Sequence, residues 1–519
     1  MIWDKYEKCN QYLDEISLVN RTNEQWDFYF GNQWQVGYNR SLHTGGVNLP
    51  DDNFITSTIK FHTSTVAQNH FMPTFNDTSG DERKAQNATT MNKLFQKERD
   101  LGKQRSRTWE IIKAGFIQGD SYQYCGTDNP KDYQVVANTN MLLGDEGNPN
   151  IQEQPYIMIR ERLLVSYVRE QARKNGISEN EIMKIQGDED KDYLIGDSTT
   201  KDVESKCTSV IYFEKKKGTV YYARATKDVE WLPLTPLETK VNGQVKSKMT
   251  LYPVARFAPE DMPNKARGLS SVRKMIPNQI EANKTLVRRS EAVKTAAYPR
   301  LVYDSNKIMN ESDLDKAGAK IAVDGQVGSV DEAIKLLQPM SMSSDASALE
   351  DYIVNRTRES NGSVDAITGA TDPTRVSGAA VVAMREQSAL PLNEPTDKIK
   401  QFEEDLAAIW FEHKQLYNPD GIMFEDNYIT GEELAQMIVE INVDVSQDSP
   451  WTRNAEQAYL DNLLEKQMIS LEEYVDLSPD NSVVPKGKMI KMFNKRMQMA
   501  QQQPMQQPIQ GEMPNEPQM

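Results

Sequence analysis

A chain of 519 residues exceeds what one hydrophobic core usually serves, so about two to four structural units are expected. With 38% hydrophobic and 26% charged residues and a mean hydropathy of -0.67, it is polar but short of a disordered composition, which points to a folded, extended shape with much exposed or subunit-facing surface. Its net charge of -16, from 76 acidic against 60 basic residues, argues against gripping nucleic acid through the overall field and leaves room for local basic stripes only.

No run of about 18 apolar residues is present, and the N-terminal "MIWDKYEKCN" lacks the basic-then-apolar pattern of a secretory signal, so a cytoplasmic, membrane-free protein is expected. Cys9, Cys125 and Cys207 are too few and too scattered for a disulfide framework or a cysteine zinc site.

The first helix is read from Ile2, Tyr6, Cys9, Leu13 and Ile16, which recur at helical spacing. "RTNEQWDFYFGNQW" gathers Trp26, Phe28, Tyr29, Phe30 and Trp34 around Gly31 and reads as a buried helix end. In the next segment Ile55, Ile59, His62, Val66 and Asn69 or His70 share a helical face that Pro73 ends. From about residue 79 to 118 a polar pattern predicts a solvated helical pair.

Residues 120–254 change to short β-rich runs, with a hairpin across Lys217-Gly218 and an inserted helix opening on the capping box Ser178-x-x-Glu181. "LSSVRKMI" predicts a short helix stopped at Pro277, which itself starts the next, "PNQIEANKTLVRRSEAVKTAA". That helix is too weakly apolar to be the central core helix of a monomer. A small α/β module follows, then the helix of "SDASALEDYIVNRTRESNGS" and a long helix over about 376–417 broken near Pro391 and Pro395. Two further helices open on Thr430-x-x-Glu433 and Ser470-x-x-Glu473, with an amphipathic helix in "SPWTRNAEQAYLDNLLEKQM" between them; the Gln/Pro/Met-rich end has too little apolar bulk to fold.

Signatures of catalysis are missing. Gly102-Lys103 and Gly487-Lys488 lack the spacing of a nucleotide P-loop, and no H-E-x-x-H, G-x-S-x-G or G-x-G-x-x-G occurs. Of His43, His62, His70 and His413, only His62 and His70 could share a helix face, where a hydrogen-bonded structural role is favoured over metal binding. Carboxylate runs such as Asp51-Asp52 and Glu403-Glu404-Asp405 sit in polar sequence and read as solvated faces. No catalytic residue, metal or cofactor is expected. "ITGATDPTRVSGAAVVAMREQ" carries Arg375 but no basic residue at phosphate-loop spacing; Gly369 and Asp372-Pro373 make it a hinge, with Ser377 capping the helix that starts at Gly378-Ala379. Between Leu269 and Ala297, Arg273, Lys274, Lys284, Arg288, Arg289 and Lys294 outnumber Glu281 and Glu291. This basic side can pair with acidic neighbours, face DNA, or do both in a ring.

The order of these elements resembles the portal (connector) proteins of tailed bacteriophages. The resemblance rests on Gly268, Ser270, Val272, Pro277, Gln279 and Asn283 in a "G-x-S-x-V…P-x-Q…N" pattern and on Thr368, Gly369, Ser377, Gly378 and Ala380 in a "TG…SG-x-A" pattern. The motifs span about 268–417, and the ordering of elements extends from near the N-terminus to about 495. It implies an α+β portal fold: a wing over 1–267, a wing-to-stem helix over 268–297, a small α/β clip over 298–342 and a second stem helix over 343–363. A tunnel loop over 364–377, a long wing helix over 378–423, an α-helical crown over 424–496 and a disordered tail over 497–519 would complete it.

The resemblance further implies a homo-oligomeric ring, usually a dodecamer, at one vertex of the virion capsid, assembled in the host cytoplasm. Double-stranded viral DNA would pass through it during packaging and ejection. The terminase large subunit and later a head-completion adaptor would dock on it, with major capsid and scaffolding proteins as assembly partners. Thr368, Gly369, Thr371, Thr374, Arg375 and Ser377 would line the tunnel loop towards DNA, with Lys284, Arg288, Arg289 and Lys294 as the basic face of the stem. Two other readings stay open: a DNA-processing enzyme such as a metal-dependent nuclease, and another structural head-tail connector.

Overall fold

Turn and capping chemistry sets many of the element ends. Helix α2 (Leu18–Phe30) stops where Gly31 takes φ 87° and returns its N–H to the Asp27 carbonyl, a conformation open to a residue without Cβ. Strands β6 (Lys206–Lys216) and β7 (Thr219–Ala225) are joined by Lys217 and Gly218 at φ 52° and 73°, so the hairpin falls where the sequence predicts it.

The computed structural model describes residues 2–33, 52–77, 81–127, 133–188, 204–241, 244–297, 300–310, 312, 320–323, 334–337, 344–360, 390–425, 427–437, 439–447, 459–466, 468–469 and 474. These residues form an α+β protein whose sheets pair antiparallel wherever their register is defined. The chain divides into two compact units, one of residues 1–67 and 71–445, the other of 68–70 and 446–519.

In the first unit, β4 (Met141–Leu143), β5 (Tyr156–Leu164), β6, β7 and β8 (Leu232–Pro236) form a five-stranded meander. Both of its faces are covered, which explains the uninterrupted apolar run of β6. Met158, Val210 and Tyr212 meet Ile2, Tyr6 and Leu13 of α1 (Ile2–Glu15), whereas Ile157, Ile211 and Phe213 face the main core. That core also takes α3 (Phe54–Ala67), α5 (Gln104–Gln118) and the sheet β11-β2-β3 (Val254–Phe257, Ser121–Cys125, Tyr133–Ala137). A further apolar cluster, including Phe75, Phe95, Trp410 and Phe411, joins β1 (Asn69–Asn76), α4 (Glu82–Leu101) and α10 (Asn393–Tyr417). In the second unit a short helix over 459–465 buries Leu460, and the Tyr474 hydroxyl donates to Asp461 at 2.7 Å.

Several expectations are corrected. Ile55, Ile59, His62 and Val66 are buried as read, but α3 ends at Ala67, and Asn69, His70 and Pro73 lie in strand β1. The pair α4–α5 forms, yet α5 is buried from Ala114 to Gln118 rather than solvated, because the β11-β2-β3 sheet and the helices α2, α3 and α8 also pack on it. Pro277 does not break a helix: α8 runs without interruption from Ser271 to Ala297. Pro277 and Arg273 both lie on the exposed side, so the carbonyl left without a helical donor can meet water. Helix α8 is also no bystander to the core, since Val272, Met275, Ile276 and Ala282 are buried in its first four turns. The capping box of Ser178 and Glu181 does not form: the Ser178 hydroxyl donates to the Glu181 carboxylate at 3.0 Å and the Glu181 N–H donates to the Ser178 carbonyl at 3.0 Å, over a helix of four residues, Glu179–Ile182.

Residues 424–445 belong to the first unit, where β14 (Gly421–Phe424) and β15 (Asn427–Thr430) form a hairpin followed by the short helix α11 (Gly431–Gln436). Ile422, Ile429 and Leu434 pack into the Phe75–Trp410 cluster. The capping box of Thr430 and Glu433 forms in full. Expectations for Trp34, for residues 364–389, for the Ser470 cap and for the 497–519 tail fall outside the described residues, as do any helices of the 298–342 module.

Glu403 is the carboxylate that the polar-face reading missed. It is fully buried on α10, paired with Arg99 at 2.7 Å and accepting from Thr108 at 2.9 Å. His413, 1% exposed, has neither ring nitrogen hydrogen-bonded among the described residues and meets the Tyr417 ring edge-on at 5.7 Å. Burial, with the Lys414 charge beside it, pulls its pKa down to about 4.

Two measurements follow. The unfolded chain takes up a proton at His413 near about pH 6.5 and the folded chain only near about pH 4, so this group removes stability as pH falls between those values, by about 3 kcal/mol. His413→Phe should flatten the urea midpoint against pH in that window; an unchanged slope would show that the ring is solvated. Gly119, at φ 101°, would place a Cβ 2.6 Å from the Gly268 carbonyl oxygen, whereas Gly176, at φ 78°, faces open space. Gly176→Ala should cost about 1–2 kcal/mol of backbone strain. Gly119→Ala should cost about 1–3 kcal/mol more, and equal losses in urea titrations would contradict a tight crossing.

Candidate functional site

The segment leading into α8 is fixed by buried charge. Arg267, 8% exposed, forks onto Glu146 at 2.7 and 2.9 Å and donates at 2.8 Å to the carbonyls of Asn138 and Met141, while its guanidinium lies 3.7 Å from Asp120. The Tyr122 hydroxyl donates to Asp120 at 2.7 Å. Burial pushes the Asp120 carboxyl up and the charges of Arg267 and Arg256 oppose it; burial pulls Arg267 down, and Glu146 leads the groups that more than offset this. Beside this cluster the backbones of Gly119 and Gly268 cross without room for a Cβ on either.

Each residue of the 268–283 pattern except Pro277 has a role in seating the helix. Gly268 permits the crossing. Ser270 donates to the Ile117 carbonyl and accepts from the Arg273 N–H at 3.1 Å, which caps α8. Val272 is fully buried. Gln279 donates to the Asp52 carbonyl at 2.6 Å and to Asn283 at 3.0 Å, and Asn283 donates in turn to Gln33, so a buried amide chain ties α8 to the end of α2.

Beyond this root the helix projects. Its 27 residues span about 40 Å, and β12 (Arg300–Tyr303) pairs antiparallel with β13 (Ile334–Leu337) after it. Helix α9 (Ser344–Ser360) then runs back: Asn278, early in α8, donates to Thr357, late in α9, at 2.9 Å. The result is a two-helix arm tipped by a hairpin. Apolar side chains stand exposed on it, with Val293 at 62%, Leu349 at 49% and Tyr352 at 65%.

Of the predicted basic face, Lys284 is half-buried, Arg288 and Arg289 are exposed, and Arg288 lies 3.9 Å from Glu281 in a weak, solvent-screened pairing. Lys294 lies on α8, but its side chain is outside the described residues. So are Thr368, Gly369, Thr371, Thr374, Arg375 and Ser377. Among the described residues no three His, Cys, Asp or Glu side chains group to hold a metal ion, and no helix is long and apolar enough to cross a membrane. Sequence reasoning missed Arg267, Glu146 and Asp120; Asp120 and Arg267 each adjoin one of the crossing glycines, the signal that pointed to them. Neither the known protein-family models nor the curated proteins contain a match to this chain.

The root predicts an asymmetry between breaking and replacing the ion pair. Glu146→Ala should cost about 3–5 kcal/mol, because it leaves Arg267 charged and underpaired in the core, whereas Arg267→Met with Glu146→Met should cost less than the single change. Urea denaturation of the two variants beside the parent chain would test this; a double variant worse than the single would refute it.

Proposed function

We propose that this protein is a portal (connector) protein of a tailed bacteriophage: a non-enzymatic ring, usually of twelve copies, at one capsid vertex, through which double-stranded DNA passes. The observation that carries this reading is the hairpin-tipped arm of α8 and α9. Its first four turns are anchored in the chain's own core, and its far part presents Val293, Leu349 and Tyr352 to the outside. Such an arm suits a stem whose outer faces meet neighbouring subunits, and cyclic contacts of that kind close a ring. The β12–β13 hairpin is then the clip on which the terminase large subunit and afterwards a head-completion adaptor dock. Residues 364–377 form the tunnel loop, and Lys284, Arg288, Arg289 and Lys294 give the stem its basic side. The acidic average suits a channel in which DNA slides rather than sticks.

Mass photometry and negative-stain microscopy of the purified chain should show a closed ring of many 59.1 kDa copies with a central channel and no magnesium-dependent DNA cleavage. A monomer or dimer that cuts DNA would overturn the reading in favour of a nuclease. Because Tyr303 pairs with Ile334, residues 304–333 can be replaced by a two-residue turn without unpairing the strands. That variant should still form rings and should lose terminase binding.

A further inference from the structure

A second charged cluster lies where helices α2 and α8 begin. The two helices pack side by side and run the same way, because hydrogen bonds tie both ends of their contact. At the far end Asn283 donates to Gln33, just past α2. At the near end the Thr22 hydroxyl donates to the Asn138 side chain at 3.4 Å, and the Asn138 carbonyl accepts from Arg267, which shortly precedes Ser271 at the start of α8. Arg21, next to Thr22, and Arg273, in the first turn of α8, are brought together by this pairing. A helical side chain leans toward the N-terminus of its helix, which carries Arg273 back over that first turn.

Both guanidinium groups are left unmatched. The acids around this junction are already engaged: Glu146 and Asp120 by Arg267, and Glu260 by Lys274. Neither Arg21 nor Arg273 has an ion-pair partner among the described residues, and the Arg21 Nε–H is buried without an acceptor. Burial and the neighbouring Arg273 charge both pull the Arg21 guanidinium below its ordinary pKa, and the Tyr12 hydroxyl of α1 opposes them. Arg21 is half-buried, whereas Arg273 and Tyr12 are exposed, so the cluster is open to solvent. The positive end of the α8 dipole adds to it. Two like charges held side by side without a carboxylate are unfavourable alone, and an anion relieves them.

We propose that Arg21 and Arg273 clamp a dianionic phosphate group, with the Tyr12 hydroxyl as a further donor. Charge selects among oxyanions. Two guanidinium groups match the two negative charges of inorganic phosphate or a phosphate monoester, whereas a carboxylate or a DNA phosphodiester brings one.

The test is calorimetric titration of the full chain near about pH 8, where phosphate is dianionic. The probes are inorganic phosphate, sulfate, methyl phosphate, dimethyl phosphate, acetate and a blunt, unphosphorylated DNA duplex. Phosphate, sulfate and methyl phosphate should bind, and dimethyl phosphate and acetate should bind about tenfold more weakly or worse. Methyl phosphate tighter than phosphate would mark a monoester as the source, and the reverse order the free ion; both fit the site. Arg21→Gln and Arg273→Gln should each lower phosphate affinity about tenfold. At matched ionic strength, phosphate should raise the urea midpoint of the parent chain but not that of the double variant. Absence of dianion binding, dimethyl phosphate or acetate equal to phosphate, or unaltered affinity in both variants would each overturn the assignment. Duplex binding that depends on both arginines without free phosphate binding would give them to DNA instead. Loss of oligomer mass in the variants without phosphate binding would give them to a carboxylate of a second copy. If Arg21→Gln does not fold, Arg273→Gln at its exposed position and the anion series on the parent chain still decide.

Discussion

The crossing of two glycine backbones, Gly119 against Gly268, is the constraint on which the arm depends. Gly119 closes α5 and leads into β2, and Gly268 precedes α8, so one contact without side chains fixes where a long helix leaves the core. The crossing holds because charge sits beside it: Arg267 spans Glu146, Asp120 and the backbone carbonyls of Asn138 and Met141, just before and at the start of β4. Buried ion pairs are poor sources of net stability but costly to break. Such a cluster therefore acts as a register pin, penalising any seating of α8 that would separate its partners.

The same logic explains a helix that is both polar and buried. A stripe of leucines along α8 would allow it to slide by a turn at little cost, since apolar contacts are non-directional. Gln279 and Asn283 are directional. They meet a carbonyl at residue 52 and the amide of Gln33, and a shift of one turn would leave several buried amide groups without partners. The thin apolar stripe of the sequence is thus compatible with a core position, because part of the packing is done by hydrogen-bonded amides.

What was legible in the sequence was local. The hairpin at Lys217-Gly218, the cap at Thr430 and the C-terminal turn at Gly31 each depend on a few adjacent residues, and each stands where read. What was not legible depends on partners far along the chain. Glu403 looked solvated beside Glu404 and Asp405, but its partner Arg99 is 304 residues away. Pro277 looked like a stop because the local rule disfavours helix before proline, and tertiary anchoring at Ser270, Gln279 and Asn283 carries the helix through it. The α+β class followed from alternating textures; the arm's antiparallel return rests on the bond from Asn278 to Thr357 and on Val354 packing into the main core, contacts that no spacing announces.

An arm anchored by polar register pins and apolar at its far end divides its energetics between two scales. Within one chain, the buried charges and amides decide where the helix sits, and they do so without needing a neighbour. Between chains, on the proposed reading, the exposed Val293, Leu349 and Tyr352 supply non-directional burial, which tolerates the small rotations that a ring of repeated copies requires to close. Exchanging the two would fail on both counts: a root without polar bonds would let each arm settle in its own register, and directional contacts between arms would demand a closure angle that every copy meets alike. The placement of directional polar bonds among the buried apolar residues of the root, and of exposed apolar side chains beyond it, is therefore what a self-seating, collectively closing element calls for.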